Sequence, residues 1–243
     1  MATSDSERGQ TPRGKGSDPS RKGVRPLAER GLTPFGVLAV GDSITRKGPW
    51  GALGLPDRSW AWFLAQTLEL PLTNLAADGA KAADVRRLQL PRATGSYALA
   101  LAYVGVNDVR SPEWNADAFG TDLDAILQTL ATKAPRVLAL TIPAGLGRPR
   151  AGAKLLAANA TIERAAAAHG AASADLSALA GPRVVLPDRV HLTPRGQLAV
   201  ADIAARALEL DRLPSERFPR DRSPAARARY ARKYLTDALP GPG

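Results

Sequence analysis

The sequence predicts an α/β protein: a three-layer α/β/α sandwich around a five-stranded parallel sheet of the flavodoxin-like kind. Two observations predict this fold. Short apolar segments alternate with longer segments whose apolar residues recur at helical spacing, which is typical of a parallel sheet covered on both faces. The segment 97–104 is apolar almost throughout, as expected of a strand that is buried on both sides.

Five segments are predicted as strands, and clear signals end two of them. The first covers residues 35–40 and ends at Gly41, and the fourth covers residues 137–141 and is stopped by Pro143. The other predicted strands are 72–75, 97–104 and 171–176. In a parallel sheet of this kind, functional residues are expected in the loops that follow the carboxyl ends of the strands.

Helical periodicity separates these strands. Residues 116–133 carry an apolar face, and residues 154–169 form an alanine-rich helix that Gly170 closes in the usual C-cap position. The other predicted helices are 60–70, 82–88 and 193–210. The alternation leaves each strand joined to the next by a helix, as a parallel sheet requires.

Composition excludes several kinds of site. The 243 residues include no cysteine, which rules out disulfide scaffolds, thiolate zinc sites, iron–sulfur clusters and cysteine nucleophiles. The only histidines are His169 and His191, too few for a three-histidine metal site. Because His169 falls at a predicted helix end, where an imidazolium favours the helix dipole, His191 is the candidate for catalysis.

The formal net charge of +10 raises the question of a nucleic-acid or anionic-membrane partner. The excess lies at the ends of the chain. Residues 1–33 carry seven basic and four acidic side chains, and residues 211–243 carry eight and four. The body between them is close to neutral, so no nucleic-acid partner is expected for it.

Four short blocks of polar and glycine residues fall in loops after predicted strands. They are Gly41-Asp42-Ser43, Gly79, Gly105-Val106-Asn107-Asp108, and the pair Asp188 and His191. In this order the blocks resemble those of the SGNH/GDSL hydrolase family. The similarity extends over about residues 35–210.

The resemblance implies a serine esterase or lipase that hydrolyses a small or medium carboxylic ester through an acyl-serine intermediate, with no cofactor and no metal. It implies Ser43 as the nucleophile, His191 as the base and Asp188 as the group that orients the imidazole. It also implies an oxyanion hole formed by the backbone N–H groups of Ser43 and Gly79 and the side-chain amide of Asn107. The residue types suit these roles, because a serine hydroxyl needs an adjacent base and a glycine lets backbone approach substrate.

Neighbouring residues have alternative interpretations. We expect Asp42 and Asp108 to hold their turns, whereas Trp50, Trp60 and Trp62 either line a pocket or pack in the core. The family's first block often continues with Glu-Gly, but this chain has Arg46-Lys47-Gly48. The two cations either attract anionic substrates or are solvated.

Two other functions stay open from the sequence. An acyltransferase on the same scaffold would use the same residues and pass the acyl group to an alcohol. A nucleic-acid or anionic-membrane binding module would use the basic ends. The blocks leave acyl and alcohol specificity undefined, and the sequence does not predict an oligomeric state.

The predicted domain organisation has three parts: a disordered basic segment 1–33, an SGNH hydrolase-like catalytic domain 34–210, and a basic tail 211–243. In the tail, residues 225–239 could form a helix behind Ser223. This tail is solvated, docks on its own domain, or contacts an anionic membrane. Residues 1–33 lack the apolar stretch of a signal peptide, which favours a cytoplasmic protein.

Overall fold

The computed structural model describes residues 36–144, 146 and 151–238 of the chain. Within them, five parallel strands form one sheet in the order β2-β1-β3-β4-β5. The strands are β1 (Val37–Gly41), β2 (Leu72–Asn74), β3 (Leu99–Tyr103), β4 (Val137–Leu140) and β5 (Ala172–Ala174). This strand order is the flavodoxin-like one, so the predicted fold class is confirmed. The predicted disordered segment 1–33 lies outside the described residues.

Helices cover both faces of the sheet. They are α1 (Ser43–Arg46), α2 (Trp60–Thr67), α3 (Ala82–Asp84), α4 (Val106–Arg110), α5 (Ala116–Lys133), α6 (Gly152–Ala168), α7 (Pro194–Ala207), α8 (Pro214–Arg217) and α9 (Pro224–Ala238). Helix α2 packs against α7, and α5 packs against α6. Because β-α-β crossovers are right-handed, the connection from β1 to β2 and those from β3 to β5 place their helices on opposite faces.

The core lies where apolar strands meet the inner faces of these helices. Every residue of β1, β3 and β4 is buried, whereas the edge strands β2 and β5 are partly exposed. Helix α5 begins and ends where its periodicity predicts, and its apolar stripe is buried. No helix among the described residues is long and apolar enough to cross a bilayer.

Short helices account for most differences from the predicted elements. Helices α1 and α4 begin directly after β1 and β3, and four or five residues are too few to show a periodic pattern. The predicted helix 82–88 is α3 followed by a π-helical turn, Val85–Gln89, and a 3₁₀ turn, Leu90–Arg92. The predicted helix 60–70 ends earlier, because Glu69 adopts a positive φ of 57°.

The reversal of strand order places the ends of β1 and β3 side by side. Chain order reverses at β1, which lies between β2 and β3, and a crevice opens at such a switch point. Both strands end in glycine turns with positive φ, 145° at Gly41 and 119° at Gly105. A Cβ at Gly41 would lie 2.1 Å from the carbonyl oxygen of Tyr103. The turn after β1 therefore has room only for glycine.

We predict that Gly41→Ala destabilises the protein by about 3 kcal/mol or more, because the new methyl overlaps backbone that cannot move freely. Gly120→Ala is the matched control. Gly120 lies in helix α5, and a Cβ there would make only an ordinary 3.5 Å contact with Thr161. This control should be neutral or stabilise by up to about 1 kcal/mol. Urea unfolding measures both, and equal stability of the two variants would contradict the steric argument.

Candidate active site

Two side chains fix the backbone turn that carries Ser43. Gln89, buried in the π-helical turn, brackets Gly41: its Oε1 accepts from the Gly41 N–H at 2.9 Å and its Nε2 donates to the Gly41 carbonyl at 2.8 Å. Asp42 is the N-cap of α1, and its Oδ1 accepts from the Ile44 N–H at 2.9 Å. The strand end and the first helical turn are therefore held together, with Ser43 at the start of α1.

Ser43 lies at one end of a chain of hydrogen bonds that joins distant parts of the sequence. Its Oγ is 2.9 Å from Nε2 of His191, 148 positions later. His191 Nδ1 is 2.6 Å from Oδ2 of Asp188. An ionised carboxylate only accepts, so the proton of a neutral imidazole belongs on Nδ1, and Nε2 is left to accept from the serine hydroxyl. The structure thus brings the three predicted catalytic residues into hydrogen-bond contact in the predicted order.

The pKa values of Asp188 and His191 are shifted in opposite directions. Partial burial acts to raise the pKa of Asp188, but hydrogen bonds from the His191 ring and from the backbone N–H groups of His191 and Val190 outweigh it and hold the pKa at about 2. The hydrogen bond to Asp188 raises the pKa of His191, against the opposing effect of burial. The pair is therefore polarised toward carboxylate and imidazolium.

A tight loop presents Asp188 and His191 together. The loop is closed by backbone hydrogen bonds from Leu186 N–H to the His191 carbonyl at 2.8 Å and from Thr193 N–H to the Val184 carbonyl at 2.8 Å. Thr193 then caps α7, accepting from the Gly196 N–H at 3.0 Å. This closed loop lets an acid and a base that are only three residues apart contact each other.

Gln197 connects the base to the nucleophile through the scaffold. It lies buried in the first turns of α7, just after the His191 loop. Its Oε1 accepts from the Trp60 N–H at 2.8 Å, and its Nε2 donates to the Ile44 carbonyl at 3.2 Å. One side chain therefore ties α7 to both α1 and α2. Sequence reasoning missed Gln197 and Gln89, because no local pattern marks either residue and each contacts backbone that is distant in the sequence.

The predicted oxyanion-hole residues face the same cavity as Ser43. Gly79 has a φ of 73°, and the space where a Cβ would stand is open. Asn107, in α4, donates one amide hydrogen to the Ala80 carbonyl at 3.1 Å. Asp108 accepts from the Ala82 N–H with both oxygens, at 3.0 and 3.2 Å, which ties the loop after β3 to the loop that carries Gly79.

These residues line a cavity of about 700 Å³. Ser43, Gly79, Asn107, Asp188 and His191 all reach it, and so do Lys47, Trp50 and Arg110. A cavity of this size accommodates a small or medium-sized organic ligand.

The remaining sequence candidates lie elsewhere. Trp60 is fully buried and donates to Thr45 Oγ1 at 3.2 Å, and Trp62 packs against Phe63, so of the three tryptophans singled out only Trp50 reaches the cavity. His169 caps the end of α6 with its Nε2 3.3 Å from Asp124 Oδ1.

The two cations that follow the first block, Arg46 and Lys47, also lie in different surroundings. Arg46 forms an ion pair with Asp78, whereas Lys47 lines the cavity.

Two buried polar atoms beneath the site have no hydrogen-bond partner among the described residues: Asp42 Oδ2 and the Tyr103 hydroxyl. Burial raises the pKa of Asp42 to about 7. Burial and the nearby Asp42 charge raise the pKa of Tyr103. The carboxyl beside the nucleophile is therefore far less acidic than Asp188, although both contribute to the same site.

Comparison with known proteins identifies a family and a fold. The model of the GDSL-like Lipase/Acylhydrolase family matches residues 39–199. No curated protein sequence matches the chain.

Solved structures with the same fold include several esterases and a lipase. A variant of an acetyl xylan esterase from Geobacillus stearothermophilus is 16% identical, with a TM-score of 0.57 over 73% of this chain and 95% of that one. LAE5, an alpha/beta hydrolase enzyme from the metagenome of Lake Arreo, is 18% identical, with a TM-score of 0.57 over 73% and 97%. An extracellular lipase from Streptomyces rimosus is 20% identical, with a TM-score of 0.53 over 70% and 98%.

The buried Asp42 predicts a pH-dependent stability. Its pKa rises from 3.8 to about 7 on folding, so between these values the folded state holds a proton that the unfolded chain has lost. The free energy of unfolding should therefore fall as pH rises through this range, by up to about 1.4 kcal/mol per pH unit. Asp42→Asn keeps the cap oxygen and should remove this part of the slope. Urea unfolding between about pH 4.5 and 7.5, which covers most of this range, measures the slope.

The exposed Asp57 provides the matched control. Asp57→Asn should leave the pH dependence of stability as in the parent protein. A slope that is the same in Asp42→Asn and in the parent would contradict the buried-carboxyl account.

Proposed function

The chain belongs to the GDSL-like lipase/acylhydrolase family, and from this premise we propose that it is a serine hydrolase that cleaves a carboxylic ester through an acyl-serine intermediate. One observation carries the proposal: Ser43 Oγ lies 2.9 Å from His191 Nε2, and His191 Nδ1 lies 2.6 Å from Asp188. This is the arrangement of nucleophile, base and orienting group that activates a serine hydroxyl.

The first half of the reaction forms the acyl-enzyme. Ser43 Oγ attacks the ester carbonyl carbon while His191 Nε2 takes the hydroxyl proton. The resulting imidazolium is stabilised by Asp188, which remains ionised because its pKa is about 2. His191 then gives the proton to the alkoxy oxygen, the carbon–oxygen bond to the alcohol breaks, and the acyl group stays on Ser43.

The second half restores the enzyme. A water molecule attacks the acyl carbonyl, and His191 Nε2 takes a proton from it. Collapse of the second tetrahedral intermediate breaks the bond to Ser43 Oγ, which takes the proton back from His191. The carboxylic acid leaves.

Negative charge develops on the carbonyl oxygen in both halves. The backbone N–H groups of Ser43 and Gly79 and the second amide hydrogen of Asn107 are the donors we assign to it, because all three residues line the cavity. Asn107 is already oriented by its hydrogen bond to the Ala80 carbonyl. Loss of one such donor costs about 10²- to 10³-fold in kcat.

The cavity favours a small or medium-sized ester. Its volume of about 700 Å³ leaves room for both the acyl and the alcohol group of such an ester. Trp50 supplies an apolar surface on one wall, and Lys47 and Arg110 supply positive charge.

Replacement of Ser43 tests the proposal. Ser43→Ala should lower kcat for p-nitrophenyl acetate by about 10⁴-fold or more, because the variant lacks the atom that carries the acyl group. Ser96→Ala is the matched control, since Ser96 is exposed and lies outside the cavity lining. It should keep full activity, and thermal unfolding of both variants should match the parent.

A folded Ser43→Ala protein with parental activity would show that another group performs the chemistry. Loss of activity in both serine variants would likewise contradict the assignment.

A further inference from the structure

A second cavity lies beside the catalytic one and shares no lining residue with it. Its volume is about 550 Å³. Its walls carry five guanidinium groups from three separate parts of the chain: Arg183, Arg195, Arg220, Arg222 and Arg227. Leu53, Asp221 and Tyr230 complete the lining. We call this cavity the arginine pocket.

The folded scaffold holds the pocket walls in place. Arg195 lies in the first turn of α7, directly after the loop that carries His191. On the opposite wall, the segment between α8 and α9 is anchored by the Asp221 N–H, which donates to the Leu53 carbonyl at 2.7 Å. Helix α9 is fixed by the Tyr230 hydroxyl, which donates to the Pro182 carbonyl at 3.4 Å. The guanidinium groups converge because these backbone contacts hold their elements together.

The positive charge of the pocket is not neutralised from within. In the part of the chain that the structure describes, none of the five guanidinium groups forms an ion pair with a carboxylate. The one acidic side chain in the lining, Asp221, is exposed, and its Oδ1 accepts from the Ser223 N–H at 2.8 Å. Five cations therefore face a single carboxylate across a shared concavity.

Arg195 shows how closely these charges are held. Its side chain is partly buried, and burial together with the nearby Arg220 and Arg183 charges lowers its pKa below the ordinary value for arginine. Charges of the same sign that lie close together repel one another and destabilise the folded protein. A bound anion would offset this repulsion.

We propose that the arginine pocket is a binding site for a phosphate-bearing ligand, one with a phosphomonoester or diphosphate group. Guanidinium groups present paired N–H donors that match phosphate oxygens. Several guanidinium groups in one concavity suit a ligand with multiple negative charges better than they suit a ligand with one carboxylate. The converging geometry favours a compact group over a polymer, because nucleic-acid binding uses an extended basic surface. The site is independent of the ester chemistry at Ser43.

The pocket also contacts the wall of the catalytic cavity. The Tyr230 ring, which lines the arginine pocket, packs on Trp50 with ring centroids 5.6 Å apart. Trp50 lines the catalytic cavity. A ligand in the arginine pocket would therefore lie one aromatic pair away from the ester site.

Calorimetric titration of the full chain with inorganic pyrophosphate tests the proposal. At low ionic strength we expect saturable binding at one site that weakens steeply as salt is added. Arg183→Gln/Arg220→Gln should weaken this binding at least about tenfold, because each lost guanidinium removes charge-assisted hydrogen bonds. Arg92→Gln/Arg206→Gln removes the same charge from exposed positions outside the pocket and should bind as the parent does.

Two further arms identify the source of the phosphate. Pulldown with phosphatidylcholine vesicles that contain phosphatidic acid, compared with vesicles that lack it, reports a lipid headgroup. If the protein binds pyrophosphate but not the vesicles, the ligand is a soluble phosphate. If it binds the phosphatidic acid vesicles but not pyrophosphate, the ligand is a lipid headgroup. Either outcome supports the site if binding is lost in Arg183→Gln/Arg220→Gln.

Three results would overturn the proposal. The first is that neither probe binds, and the second is that the pocket and control variants bind equally. The third is that a random-sequence DNA duplex binds and pyrophosphate cannot displace it, which would indicate an extended nucleic-acid surface instead. Thermal unfolding of both double variants at the parental temperature shows that a loss of binding is not a loss of fold.

Discussion

The hydrogen bond between Ser43 and His191 is the interaction on which the rest of the site depends. It joins side chains 148 positions apart in the sequence, so neither residue can hold the other by local structure. Alignment comes from the scaffold: Gln89 holds the backbone before Ser43, and Gln197 ties α7, which follows His191, to α1 and α2. Buried amides suit this role because one side chain both donates and accepts without adding charge.

Environment separates the carboxyl groups near the site. Asp188 is partly exposed and accepts three hydrogen bonds, so it is ionised throughout the physiological range. Asp42 and Asp108 are buried, and their pKa values rise to about 7 and about 6. Asp188 is thus the firmly charged partner of His191, while Asp42 and Asp108 hold the turns after β1 and β3, as the sequence predicts.

Local patterns in the sequence predict the fold and place four short blocks in loops after strands, and the family resemblance of those blocks implies the roles of the site residues. Strand ends are marked by apolar runs that stop at glycine or proline, and α5 is marked by apolar residues at helical spacing. Gln89 and Gln197 were not predicted, because a single glutamine in a helix forms no sequence pattern. Its structural role depends on contacts with backbone that is distant in the sequence. The arginine pocket could not be predicted for the same reason, because its arginines come from separate segments that meet only in the folded protein.

The most direct test of the account is the pKa of the His191 ring, measured by NMR in a His169→Gln background that leaves one histidine to observe. The account predicts a pKa above the usual value of about 6.5, with activity lost on the acid side of it, since only neutral imidazole accepts the Ser43 proton. Asp188→Asn should lower that pKa and reduce kcat by about 10⁴-fold. The same His191 pKa with and without the carboxylate would contradict the account.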